Sequence, residues 1–165
     1  VPRVGRVGRA GAEQPRLPRL RAHLYATRLV SATRLFPDMD PLLTRLEQQG
    51  IHWGVVTNKP RQFTEPLLAA LGLLERSSCT VSGDTLPERK PHPRPILHAL
   101  EQLAVLPEHS IYVGDARRDI ESGRAAGTAT IAVRYGYIEP GQDPDGWDAD
   151  FVVSTPAELS QLIFG

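Results

Sequence analysis

The sequence has few residues of the kinds that mark secreted, membrane or metal-thiolate proteins. Its single cysteine, Cys79, cannot form a disulfide within the chain and stands apart from other metal ligands, so we expect an inert structural thiol. No apolar run approaches the roughly 20 residues that a transmembrane helix needs, and no secretory signal opens the chain. With 165 residues, 41% hydrophobic and 23% charged, we expect one cytoplasmic globular domain with no membrane partner.

Lysine is also scarce, because seventeen of the nineteen basic residues are arginine and only Lys59 and Lys90 remain. The net charge of zero conceals an asymmetry: residues 1–34 carry +7 and residues 35–165 carry −7. A lysine ammonium binds an anion as a compact point charge, whereas an arginine guanidinium binds it through a planar set of donors. A chain that uses arginine almost everywhere else therefore makes its two lysines candidate functional residues.

Residues 1–19 form a basic arm in which arginine alternates with glycine and proline. The arm has neither helical nor strand periodicity and little apolar surface, so we predict a loop or a disordered segment. Basic arms can bind nucleic acid or serve as transit peptides, but this one has no aromatic residue and no serine, and we expect no nucleic-acid partner. Residues 20–35 return to an amphipathic helical pattern.

From Phe36 onward, apolar segments of strand length alternate with amphipathic segments of helix length. The predicted helices cover residues 40–49, 63–71, 93–103, 119–126 and 156–163, and the predicted strands cover 51–57, 78–82, 110–113, 128–134 and 150–153. Such alternation through short loops predicts an α/β fold with a parallel sheet covered on both faces. Ligands of such sheets bind at the carboxyl ends of the strands.

Two of these strand ends carry residues suited to phosphate. At Thr57-Asn58, a hydroxyl, an amide and the N–H groups of the following helix are placed to bind an anion, although a capping turn uses the same residues. Lys90 lies on a proline-rich loop that restricts where its ammonium can point. An ammonium suits phosphate as a point charge, and a solvated surface lysine is the alternative.

A third strand ends in Gly114-Asp115, with Asp119 one helical turn later on the same side. Carboxylate oxygens are hard ligands suited to Mg²⁺, which also binds substrate phosphate. The alternative is structural: Asp115 caps the helix, and Asp119 pairs with a nearby arginine.

Together the three strand ends resemble the haloacid dehalogenase superfamily of phosphatases, in which Thr or Ser, then Lys, then an acidic strand end form motifs two to four. The segments WGVVTNKP, KPHPRPI, VGDARRDIESGRAAGT and AVRYGYI are similar to the phosphoglycolate phosphatase branch. The first and last of them look closest to the N-acetylmuramic acid 6-phosphate phosphatases. The resemblance covers about residues 35–165 and implies a three-layer, Rossmann-like core.

The resemblance also implies an activity: hydrolysis of a small phosphomonoester, phosphoglycolate or a sugar 6-phosphate, through an aspartyl-phosphate with Mg²⁺ as cofactor. The partner would be a small phosphorylated metabolite. The implied catalytic residues are Thr57, Lys90 and Asp115, the phosphate-binding residues Thr57, Asn58 and Lys90, and the metal ligands Asp115 and Asp119.

The family's first motif, an apolar strand ending in Asp-x-Asp-Gly-Thr that supplies the nucleophile, has no counterpart in the sequence. Asp38-Met39-Asp40 has the spacing, but no strand precedes it and no Gly-Thr follows, so we predict a helix start there. We therefore expect a core of residues 36–165 that lacks the first central strand and most of the cap domain, with residues 20–35 as a cap-helix remnant.

Without the nucleophile, we expect no turnover from this polypeptide. The alternative is a non-catalytic domain that keeps the same scaffold to bind phosphate or a partner. The sequence does not indicate the oligomeric state.

Overall fold

The computed structural model of the protein describes residues 33–165. The α-helices are α1 (Met39–Gln48), α2 (Arg61–Ala70), α3 (Arg94–Leu103), α4 (Arg117–Ala126) and α5 (Pro156–Phe164). The strands are β1 (Val55–Val56), β2 (Thr80–Val81), β3 (Ile111–Gly114), β4 (Ala129–Val133) and β5 (Phe151–Val153). Short 3₁₀ helices at Pro107–His109 and Pro144–Gly146 precede β3 and β5.

All strand pairs are parallel, as the sequence predicts. β1 pairs with β2, and β3, β4 and β5 form a second sheet in that order. Within residues 33–165, no strand pairs with the other edge of β1 or with the other edge of β3. The described chain therefore contains two parallel sheets rather than one continuous sheet.

Helices cover both faces of the larger sheet because the side chains of β4 alternate between them. Ile131 packs with Leu42 of α1 and Leu159 of α5 on one face. Its neighbour Ala132 packs with Ile120 of α4 on the other face. These contacts confirm the predicted three-layer α/β architecture.

The predicted strand over residues 51–57 is wrong in both length and burial. β1 contains two half-buried residues, Val55 and Val56, and Ile51 is 42% exposed. The backbone bonds to residues 78–81 begin at Trp53 and end at Thr57, so the first two residues of the predicted strand have no backbone partner in β2 or beside it. The remaining predicted elements are present, with ends shifted by no more than two residues.

Predictions for the basic arm, residues 1–19, and for most of the helix over residues 20–35 lie outside the described residues. Residues 33–35 are described and are not helical. Cys79 is a buried free thiol, and burial raises its pKa. No helix within residues 33–165 is long and apolar enough to cross a membrane.

Candidate active site

The structure brings the three predicted strand ends together around the ammonium of Lys90. Lys90 Nζ donates to the carbonyl of Val56, the last residue of β1, at 2.8 Å. It also lies 2.7 Å from Oδ1 of Asp119, in the first turn of α4 after β3. Both charged side chains are only 8% exposed. Each of these buried charges compensates the desolvation cost of the other, and removal of either would leave an unpaired charge in the interior.

At the end of β1, the Thr57 hydroxyl accepts a hydrogen bond from the backbone N–H of Lys59 at 3.1 Å. This contact is the capping turn that the sequence offered as the alternative, and it fixes the hydroxyl oxygen beside the start of α2. The hydroxyl proton is not consumed by this bond, so Thr57 can still donate to an anion.

Asn58 has a role that the sequence did not indicate. Its side-chain amide donates to the Lys90 carbonyl at 2.9 Å, and its side-chain oxygen accepts from the Lys90 N–H at 3.0 Å. The amide predicted to bind phosphate therefore holds the backbone of the Lys90 loop with its oxygen and one N–H, which leaves its second N–H and the backbone N–H of Asn58 as donors for an anion. Asparagine in a turn commonly bonds to nearby backbone, but no pattern in the sequence identifies a partner 32 residues away.

Asp119 uses both carboxylate oxygens within the protein. Oδ1 pairs with Lys90, and Oδ2 accepts from the backbone N–H of Ala116, just before α4, at 3.2 Å. The second contact resembles one half of a capping box, in which an acid in the first turn returns to the helix start. The sequence offered an arginine as the alternative partner for Asp119, whereas the structure shows Lys90.

Tyr112 was also missed by sequence reasoning. Its hydroxyl oxygen lies 2.8 Å from Lys90 Nζ and 3.1 Å from the Val56 carbonyl oxygen. Burial raises the pKa of the Tyr112 phenol well above its ordinary value, and the charges of Asp119 and Asp115 raise it further. The one available signal was a tyrosine in an otherwise apolar strand, since a buried hydroxyl usually has a polar partner.

Asp115 occupies the more open end of the site. Its Oδ2 accepts from the backbone N–H of Tyr137 at 2.8 Å, and no cation within residues 33–165 pairs with its carboxylate. Gly136 approaches so closely that a Cβ atom there would collide with the Asp115 side chain. The loop after β4 therefore fixes the carboxylate from one side through a glycine that no larger residue can replace without displacement.

The aspartates that imitate the missing first motif lie elsewhere. Asp40 is in the first turn of α1 and forms an ion pair with Arg76 at 2.6 Å. Asp38 precedes the helix with a positive φ of 66° and makes no capping bond with its side chain. The prediction that these residues mark a helix start is confirmed, although Asp38 does not cap the helix.

The carboxylates of the site suit Mg²⁺ better than a metal that requires a complete protein cage. Within the described chain, no group of three or more His, Cys, Asp or Glu side chains could enclose a metal ion. Asp115 has a second oxygen beyond the one bonded to Tyr137, whereas both oxygens of Asp119 have partners. Mg²⁺ commonly takes one or two carboxylates and completes its coordination with water and substrate phosphate, so Asp115 fits this ion.

The family model of haloacid dehalogenase-like hydrolases matches residues 7–133 of the sequence. The chain belongs to this family. The haloacid dehalogenase-like chain is 48% identical over 131 residues to an N-acetylmuramic acid 6-phosphate phosphatase of Pseudomonas putida, covering 79% of this chain and 59% of that protein. It is 42% identical over 135 residues to a phosphoglycolate phosphatase of Xanthomonas campestris pv. campestris, covering 82% and 61% respectively.

Solved structures show the same relationship. A crystal structure described as a predicted phosphoglycolate phosphatase from Haemophilus somnus superposes with a TM-score of 0.82 and 30% identity. The superposition covers 88% of this haloacid dehalogenase-like chain and 64% of that one. The chain thus spans about three fifths of the length of the curated relatives it matches. The family resemblance expected from the three strand ends is confirmed.

Proposed function

We propose that residues 33–165 form the phosphate-binding and magnesium-binding part of a phosphomonoester hydrolase. The observation that carries the proposal is the buried ammonium of Lys90, which contacts the end of β1 and pairs with Asp119 at the start of α4. A buried, charged lysine at the carboxyl ends of parallel strands suits an anionic ligand. The phosphatases to which the chain is similar support the reaction class.

In this proposal Thr57 and Lys90 bind the phosphate, together with the backbone N–H of Asn58. The Thr57 hydroxyl donates to a phosphate oxygen, and Lys90 neutralises the phosphate charge. Asp115 holds Mg²⁺, which when bound neutralises charge on the transferred phosphoryl group. Asp119 holds Lys90 through Oδ1, and the lone pairs that remain on its carboxylate let it serve also as the second metal ligand that the resemblance implies.

The proposed substrate is a small phosphomonoester, either phosphoglycolate or a sugar 6-phosphate, in the cytoplasm. The names of the relatives support both classes, since one acts on phosphoglycolate and the other on N-acetylmuramic acid 6-phosphate.

We also propose that the polypeptide of this sequence does not catalyse the hydrolysis of phosphomonoesters. Formation of an aspartyl-phosphate requires a carboxylate in line with the phosphate, and the sequence contains no Asp-x-Asp-Gly-Thr. Asp40 is a poor substitute because its carboxylate pairs with Arg76 at 2.6 Å. Mg²⁺-dependent hydrolysis of p-nitrophenyl phosphate that is lost on Asp40→Asn would overturn this expectation.

The second candidate is a non-catalytic domain that binds phosphate or a partner on the same scaffold. It is favoured by the saturation of Lys90, whose three ammonium hydrogens are matched by three protein acceptors. Addition of a synthetic apolar peptide ending in Asp-x-Asp-Gly-Thr separates the two: restored hydrolysis of p-nitrophenyl phosphate supports a phosphatase core.

Titration of the protein with orthophosphate, followed by NMR with and without Mg²⁺, tests the binding proposal. We expect saturable shifts of the backbone signals of Thr57 and Asn58, stronger with Mg²⁺ present. Lys90→Ala should abolish them, whereas Lys59→Ala, which removes the same charge, should preserve most of the binding. Absence of saturable shifts in the wild-type protein would contradict the proposal.

A further inference from the structure

The Tyr112 hydroxyl contacts two polar groups at the end of β1, the Lys90 ammonium and the Val56 carbonyl. The phenol has one hydrogen to donate and lone pairs to accept. A lysine ammonium can only donate, so the 2.8 Å contact between Lys90 Nζ and the Tyr112 oxygen leaves the phenol hydrogen for Val56, at 3.1 Å. The proton positions are therefore determined by the chemistry of the three groups.

The Val56 carbonyl consequently accepts two hydrogen bonds, one from Lys90 and one from Tyr112. If one N–H of Lys90 turns from this carbonyl toward a phosphate oxygen, the carbonyl still has the phenol as its donor. The ammonium meanwhile remains bonded to Asp119 and to the Tyr112 oxygen. Leaving a buried acceptor unpaired is costly, so the second donor lowers the cost of this exchange.

We propose that Tyr112 is a positioning residue: it holds the Lys90 ammonium at the end of β1 and keeps the Val56 carbonyl bonded when Lys90 engages phosphate. This inference rests on the proposed function and adds a residue to it. Tyr112 does not itself touch the ligand. Its ring packs with the cluster of Ile96, Leu100 and Ala126, which fixes the hydroxyl in place.

Tyr112→Phe separates the contribution of the hydroxyl from that of the ring packing, because it removes the hydroxyl and keeps the ring. In this variant the Val56 carbonyl depends on Lys90 alone, so an N–H that turns from it to phosphate leaves the carbonyl without a donor, and the phenol oxygen no longer holds the ammonium in position. We expect the dissociation constant for orthophosphate to rise about tenfold, the change that corresponds to one hydrogen bond to a charged group. Tyr135→Phe is the matched control, because the hydroxyl of Tyr135 contacts Met39 Sδ at 3.9 Å and neither Lys90 nor Val56.

A second readout does not depend on the ligand. The chain has only two lysines, so lysine labelled with ¹³C at Cε gives two NMR signals, from Lys59 and Lys90. Tyr112→Phe should move the Lys90 signal and leave the Lys59 signal in place, and Tyr135→Phe should move neither. A merely structural role for the hydroxyl would lower the melting temperature without this selective shift.

A third variant tests whether another hydrogen-bond donor can replace the Tyr112 hydroxyl, and it can be used even if Tyr112→Phe does not fold. Replacing Tyr112 by 4-aminophenylalanine retains an N–H donor toward Val56, and we expect an affinity within about threefold of wild type. Affinity for orthophosphate that is unchanged or tighter in folded Tyr112→Phe overturns the inference alone. If the wild-type protein itself fails to bind orthophosphate, the proposed function fails as well.

Discussion

The two ends of the candidate site, at Lys90 and at Asp115, differ in how many protein contacts hold the charged side chain. At the Lys90 end, a buried ion pair and bonds to Asn58, Val56 and Tyr112 fix one ammonium. At the Asp115 end, one carboxylate oxygen accepts a single backbone bond, from Tyr137, and no described cation opposes it.

This difference supports the two roles proposed above for polar residues that look alike in sequence: phosphate binding at Lys90 and metal binding at Asp115. The Lys90 end carries a charge that can be buried because its partner is part of the protein. At the Asp115 end, one carboxylate oxygen has no partner among the described residues. A magnesium site requires such an oxygen, because the ion binds to it and takes its other ligands from water and substrate. Substitutions at the first end should therefore cost stability as well as binding, whereas those at the second should cost binding with little loss of stability.

The largest effect is expected from Lys90→Ala, which leaves the Asp119 carboxylate buried without its counter-charge. Breaking one partner of such a pair costs about 3–5 kcal/mol of the free energy of unfolding. Urea denaturation of this variant beside Lys59→Ala measures the difference, and we expect the control to lose less than about 1 kcal/mol. Equal losses in the two variants would show that the buried pair is not what stabilises this end.

The same change at two aspartates in one segment gives the sharpest contrast. Asp119→Asn should lose about 2–3 kcal/mol, because its hydrogen bonds involve a buried charge, whereas Asp115→Asn should lose about 0.5 kcal/mol or less. Urea denaturation reports the stability of both variants. For Asp115→Asn, the effect should instead appear as loss of the enhancement of orthophosphate binding by Mg²⁺. An Asp115 variant that retains this enhancement contradicts its assignment to the metal.

A smaller effect is expected at Asn58, whose amide holds the Lys90 backbone by two bonds. Asn58→Ala should reduce the free energy of unfolding by about 1–2 kcal/mol, since each neutral bond contributes about 0.5–1.5 kcal/mol. Asn58→Asp keeps the oxygen that accepts from the Lys90 N–H and loses the donor to its carbonyl. We expect it to lose at least as much as Asn58→Ala, because a carboxylate oxygen then faces the Lys90 carbonyl oxygen in place of the donor. If the amide has no structural role, both variants will match wild type in urea.

The smallest effect concerns pH, and it involves the two tyrosines whose pKa values are raised, Tyr112 and Tyr135. Burial and the charge of Asp115 raise the pKa of Tyr135 to about 12, while that of Tyr112 lies well above its ordinary value. The folded protein therefore keeps phenol protons that the unfolded chain loses near pH 10, so this stabilisation is present below about pH 10 and declines as pH rises.

Between about pH 9 and about pH 10.5, Tyr135→Phe should make the decline shallower by less than about 1 kcal/mol. Urea denaturation across this range, with wild type measured in parallel, provides the test. A decline of the same steepness in the variant would show that Tyr135 titrates alike in both states.

The sequence predicted four polar residues at the ends of the strands, whose roles in binding stay predictions, and the features that it missed have physical causes. Thr57, Lys90, Asp115 and Asp119 were identified because polar residues after apolar strands meet at one edge of a parallel sheet. The roles of Asn58 and Tyr112 were missed because their partners lie 32 and 22 residues away, across connections whose course no local pattern defines. The length of β1 was wrong because an apolar run predicts a strand only where a neighbour exists to pair with it.

The sequence by itself determined the alternation of helices and strands, the order of the three strand ends and the absence of an Asp-x-Asp-Gly-Thr motif. These features depend on local periodicity and on residue identity. Only the tertiary structure decided which carboxylate pairs with Lys90 and which keeps one oxygen without a partner among the described residues. That choice depends on burial and distance: Asp119 is enclosed with the ammonium at 2.7 Å, while Asp115, four residues earlier, lies beside Gly136 and Tyr137.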